Sequence, residues 1–95
     1  MSQGQGLHDP DGWRERWLSL HPSDRFTGEL ARLAIRSIED PHSDVGPGSE
    51  VLEFDEGGER FEVRVNYLVE QFPKGRVFHV LSMLSEGDPL PLLDR

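Results

Sequence analysis

The sequence contains no cysteine, which excludes disulfides, thiolate nucleophiles and thiolate metal sites. Secreted domains of this size commonly rely on disulfides, so a reducing cytoplasm is the expected location. Lysine is nearly absent as well: Lys74 stands against nine arginines, and with 10 glycines and 7 prolines this is the composition expected of a GC-rich bacterial genome. Positive charge is in deficit along the whole chain. Residues 1–48 carry 8 acids and 5 bases, residues 49–95 carry 10 and 5, and the net charge is -8. Such a balance repels phosphate backbones and anionic headgroups, so nucleic acid and membrane surfaces are not expected partners. It favours solubility, or a basic protein partner. Long apolar runs are missing too. No stretch approaches the ~18 residues of a membrane helix. The opening MSQGQGLHDPDG has neither the basic start nor the apolar core of a signal peptide.

Only 35% of the 95 residues are hydrophobic, but they fall in patterned segments. A chain this long forms one domain and buries roughly two-thirds of its unfolded surface. Asp9-Pro10 is a helix start, with Asp as cap and Pro at the first helical position. Trp13, Trp17 and Leu20 then recur at helical spacing, so a short amphipathic helix is expected over about 10–20, ending at His21-Pro22. Ser23 or Asp24 can cap a second helix whose stripe is Phe26, Leu30, Leu33, Ala34 and Ile38, widened by Ala31 and Ile35. Pro41 stops it near 39 or 40, and 41–49 reads as a loop.

Three strands are expected after that loop, at 50–55, 60–70 and 76–84. From Glu59 to Glu70 the chain alternates strictly, with Phe61, Val63, Val65, Tyr67 and Val69 on one side. Gly57-Gly58 and Phe72-Pro73-Lys74-Gly75 are hairpin turns. Centred on the first turn, Phe54 faces Phe61, Leu52 faces Val63 and Asp55 faces Arg60. Centred on the second, Val69 faces Phe78, Tyr67 faces Val80, Val65 faces Ser82 and Val63 faces Leu84. Both turns put apolar residues on the same side, and a one-residue slip would break that agreement. The expected fold is therefore α+β in the order α-α-β-β-β. Two N-terminal helices pack on one face of a three-stranded antiparallel meander. Residues 1–8 form a flexible N-terminus, 9–84 the domain and 85–95 a tail.

The other face of this sheet is oddly apolar. It is expected to carry Val51, Leu68, Val77, His79, Leu81 and Met83 beside Arg60, Arg64, Asn66 and Glu70, whereas a two-layer domain would make it polar. Three uses compete: cover by the tail Pro89-Leu90-Pro91-Leu92-Leu93 or by the first helix, self-association, or docking of another protein. The run Glu50, Glu53, Asp55, Glu56 and Glu59 reads as a solvated edge strand that resists aggregation, or as a patch for a basic partner. The expected function is a non-enzymatic protein-binding module: a regulator, an immunity- or antitoxin-like partner, or an assembly subunit. It would act through that second face.

No motif announces catalysis. Gly46-Pro47-Gly48 lacks the Lys-Ser/Thr of a phosphate loop, and no nucleophile elbow surrounds any serine. His42-Ser43-Asp44 and His8-Asp9 are too sparse for a metal, so neither metal nor cofactor is expected. One catalytic alternative rests on His79, Arg64 and Arg60, which share the second face. Histidine and arginine there suit acid–base and phosphate-stabilising steps of RNA cleavage. With that set, the helix–helix–three-strand order over 23–84 resembles the RelE/ParE toxins. The resemblance implies a small ribonuclease using Arg60, Arg64 and His79. It is one of topology, and the acidic charge departs from the basic surface such ribonucleases carry.

Overall fold

A computed structural model describes residues 7–40, 42 and 44–88. Among them the elements run β1 (Leu7–His8), α1 (Trp13–Leu20), α2 (Phe26–Glu39), β2 (Gly46–Glu56), β3 (Glu59–Phe72) and β4 (Gly75–Leu84). The class is α+β. The sheet differs from the expected meander, because it has four strands in the order β1-β4-β3-β2 and is mixed. β1 runs parallel to β4, with Leu7 beside Phe78 and His8 beside His79. Two residues expected to fray are thus the outer strand of the sheet.

The first hairpin has the expected register, with Leu52 opposite Val63, Phe54 opposite Phe61 and Asp55 opposite Arg60. Gly57 and Gly58 both take positive φ, 63° and 84°, the backbone that a tight primed turn demands. β2 reaches back into the expected loop as far as Gly46, where a tyrosine substitutes for missing side-chain bulk. Gly48 lies opposite Tyr67, and a Cβ there would come within 2.6 Å of the Tyr67 ring. The ring covers the glycine and stacks on Phe78 at 4.7 Å.

The second hairpin keeps its register only as far as Tyr67–Val80. A bulge follows: Asn66 pairs with Ser82, leaving Leu81 as the extra residue, and Val65 pairs with Met83. The pairings expected for Val65 with Ser82 and Val63 with Leu84 are therefore wrong by one position. So is the placement of Met83 on the second face, since Met83 is 1% exposed in the core. Uniform alternation would bury the Ser82 hydroxyl and expose Met83. The extra residue reverses both. Met83 enters the apolar layer, and the Ser82 Oγ accepts a 2.8 Å bond from Asn66 Nδ2 on the open face. Burying a methionine is worth about 1.5–3 kcal/mol, and a bulge costs little near a sheet edge.

Both helices pack on one face. Trp13 and Trp17 of α1 and Phe26, Leu30, Leu33 and Ala34 of α2 meet Leu52, Phe54, Val63, Val65, Val69, Phe78, Val80 and Met83. The N-cap position of α1 is Gly12 and not the expected Asp9, and Pro10 precedes the helix; the Asp9 carboxylate still reaches the helix start, accepting from the N–H groups of Trp13 (3.0 Å) and Arg14 (2.9 Å). The helix itself starts later than expected, because a turn closed by Gly12 N–H to the Asp9 carbonyl comes first. Ile35, read as part of the α2 stripe, is 53% exposed.

The sheet grips α2 at both ends. At its start, Ser23 Oγ accepts from the Phe26 N–H, while the Glu56 carboxylate takes the Ser23 hydroxyl and the N–H groups of Asp24 and Arg25. At its end, the Arg76 guanidinium donates to the carbonyls of Ser37 and Asp40. An acid at the N-terminus and a base at the C-terminus match the helix dipole. The same bonds, first the Ser23 hydroxyl and then the two N–H groups, hold the Glu56 carboxyl below the usual carboxylate range. A lowered folded pKa stabilises the fold above the unfolded value, and that contribution disappears as pH falls through the folded pKa. Glu56→Gln should therefore lower the thermal midpoint at pH 7, and the gap from the parent protein should shrink in melts below about pH 4. An unchanged gap at acid pH would show that the carboxylate charge is not what holds the helix.

Candidate functional site

With both helices on one side, the far face of the sheet is where the described chain presents side chains without a covering layer. The register lays them out in rows. Pro47, Leu68, His79 and His8 form one row across all four strands; Ser49, Asn66 and Ser82 form the next, and Val51, Arg64 and Leu84 the third. Leu81 at the bulge is 49% exposed and Val51 39%. Leu68, Val77 and His79 are half-buried. Of the six residues assigned to this face from sequence, five are there and Met83 is not. The tail segment 89–93, a candidate cover, lies outside the described residues.

The acidic run does not form one patch. Glu50 turns toward α2 and pairs with Arg36 at 3.3 Å. Glu53 holds Arg60 at 2.6 Å, with Asp55 at 3.9 Å from the same guanidinium. Glu56 is committed to α2, and Glu59 is exposed beside the hairpin turn. The expected separate acidic surface is therefore divided among three internal tasks. Glu53 and Asp55 remain on the open face, together with Glu62 and Glu70.

Arg60, Arg64 and His79 share the face but do not converge. His79 sits opposite Leu68, four residues from Arg64 and eight from Arg60 along β3. At ~3.4 Å per residue these separations are about 14 and 27 Å, too far for one phosphate to meet all three. Each is also engaged: Arg60 with Glu53, Arg64 with Ser49 Oγ at 3.3 Å, and His79 Nε2 with Glu70 Oε1 at 2.7 Å. The other ring nitrogen of His79 lies 3.0 Å from His8 Nδ1. This His8–His79–Glu70 chain was invisible in the sequence, because β1 gives no periodic signal.

A second polar node joins α1 to the segment after β4. Trp17 Nε1 donates to Ser85 Oγ at 2.9 Å, and that hydroxyl donates to the Glu62 carbonyl at 2.6 Å. Asp88 accepts from the Ser85 N–H at 2.8 Å and pairs with His21 Nε2 at 2.7 Å, while the His21 ring stacks on Trp17. Serine, histidine and aspartate meet here without forming a triad, since the Ser85 hydroxyl is turned to Trp17 and Glu62 and away from His21. An open cleft of about 400 Å³ lies beside the node, bounded by Val51, Arg64, Leu84 and Glu86. It holds no nucleophile–base pair.

Among the described residues no group of three histidine, aspartate or glutamate side chains converges on a metal position, and no helix is long and apolar enough to cross a membrane. His42 and Asp44 are exposed on the loop before β2, and Ser43 between them lies outside the described residues. Comparison with family models, with curated proteins and with solved structures finds no match to this chain.

Proposed function

We propose that this chain is a non-enzymatic protein-binding module of the cytoplasm, acting as a regulator or assembly subunit that masks a partner's surface. One observation carries the reading. Among the described residues the sheet has helices on one face only, and the other face exposes Leu81 and Val51 around half-buried Leu68 and Val77. Apolar side chains on an uncovered sheet face are normally reserved for a partner. The charge selects the kind of partner. A chain of net charge -8 repels copies of itself, and on the open face Glu53, Asp55, Glu62 and Glu70 outnumber Arg60 and Arg64, which favours a basic protein over a second copy.

Leu81→Lys tests this. The side chain is exposed at a bulge, so stability should change by no more than about 0.5 kcal/mol. Affinity for the partner should fall at least ~10-fold, as expected when an exposed apolar anchor is replaced by a charge. Tagged parent protein, Leu81→Lys and Ile35→Lys would be compared for stoichiometric capture from native lysate. The last alters an exposed apolar residue on the helical side. Loss in Leu81→Lys alone supports the reading. Equal capture by all three removes the open face from consideration, and a concentration-dependent dimer broken by Leu81→Lys replaces the basic partner with a second copy.

A further inference from the structure

We propose that His8 and His79 form a proton-operated latch that attaches β1 to the sheet while the pair carries at most one extra proton and releases it when both rings are protonated. The two rings meet nearly head-on: their Nδ1 atoms are 3.0 Å apart, and their centroids are 5.1 Å apart. A bond between two ring nitrogens requires one N–H and one bare lone pair. On its far side His79 Nε2 is 2.7 Å from a Glu70 oxygen. A carboxylate only accepts, so Nε2 carries a proton. Neutral His79 then accepts at Nδ1 from His8. After one proton is added, His79 becomes an imidazolium that donates both to Glu70 and to the His8 lone pair. The chain therefore accommodates one extra proton and not two. A second proton sets two N–H groups and two positive charges face to face, and the bond is lost.

The rest of the environment leaves this balance to the three residues. On β3 the charged neighbour is Glu70, and on β2 the adjacent positions are the uncharged Pro47 and Ser49. Asp9, next to His8, has both carboxylate oxygens bonded to the start of α1. On β4 itself, Arg76 turns to the end of α2. The helices lie across the sheet. Among the described residues β1 is Leu7–His8, held by its pairing with β4, by the Leu7 side chain against the core and by the His8–His79 bond. The attached state has room for one extra proton on the pair and the released state for two, so acid favours release at the second protonation. Release would bare the outer edge of β4, a strand edge open to pairing by another chain. The latch does not depend on the binding function proposed above.

Amide exchange resolved by NMR, expressed as protection factors, tests it on the full chain. Protection at Leu7 and His8 should be at least ~10-fold greater at pH 7.5 than at pH 5, while Val63 and Val65 in the sheet centre stay protected at both. His8→Ala should show the low value throughout. His8→Asn, whose amide can still donate to His79 but cannot titrate, should stay protected with no step. Equal protection at both pH values, a step that survives in His8→Asn, or loss at Val65 together with β1 would each overturn the proposal.

Discussion

Replacing Trp17 with alanine should cost more stability than any other single truncation in α1. The side chain is 1% exposed and is the centre of the aromatic layer. It stacks on Phe26 at 4.4 Å and on His21 at 4.7 Å, and meets Phe54 and Phe61 edge-on at 6.2 Å. Phe and Trp truncations in cores cost about 3–5 kcal/mol, against a total stability of 5–15 kcal/mol for typical domains. At ~4–8 °C per kcal/mol for a domain of this size, the midpoint should fall by about 12–40 °C. Trp17→Phe separates packing from hydrogen bonding, because it keeps an aromatic ring and removes the donor to Ser85. Its cost should be smaller, about 1–3 kcal/mol, because the Ser85 Oγ that loses its donor is only half-buried. Differential scanning calorimetry of the two variants decides this. A midpoint within 5 °C of the parent for Trp17→Ala would mean that α1 is not integral to the core.

What the sequence made legible follows the range of the interactions. α2 was readable because its apolar stripe repeats along 14 residues; its start was left between Ser23 and Asp24, and the N-cap position is Arg25, with Ser23 Oγ accepting from the Phe26 N–H. The first hairpin was readable because Gly57-Gly58 admits one tight turn, and a turn fixes every pairing behind it. The features that escaped depend on contacts between distant segments. β1 is two residues with no period, and its partner lies some seventy residues away. Glu56 looked like one acid in a run of five, but its role is set by Ser23 on another element. His21 looked like a helix terminator and is also a partner of Asp88. Of the candidate site, the open face and five of its six apolar or histidine positions were recoverable from strict alternation. The proton chain across it was not, because nothing local to His79 announces His8.

The error in β4 leads to the sharpest test of the register. Uniform alternation places Leu81 and Met83 on the same face. The bulge places Leu81 in solvent at 49% exposure and Met83 in the core at 1%. Lysine at the two positions should then behave oppositely. At 81 the ammonium stays in water, and the fold persists. At 83 the charge would be lodged between Val65 and the helical layer, with no acid in the core to pair with it, and an unpaired buried charge is among the largest single penalties a small domain meets. Met83→Lys should leave the chain unfolded, or fold it only at high pH with the amine neutral, since burial depresses a lysine pKa by up to several units. Met83→Leu, which conserves volume and polarity, should cost less than about 1.5 kcal/mol. Circular dichroism melts of the three variants would compare the alternatives directly. If Met83→Lys folds as well as Leu81→Lys, the bulge is absent and β4 alternates uniformly. If only Met83→Lys collapses, the extra residue at Leu81 determines which side chains of β4 remain available to a partner.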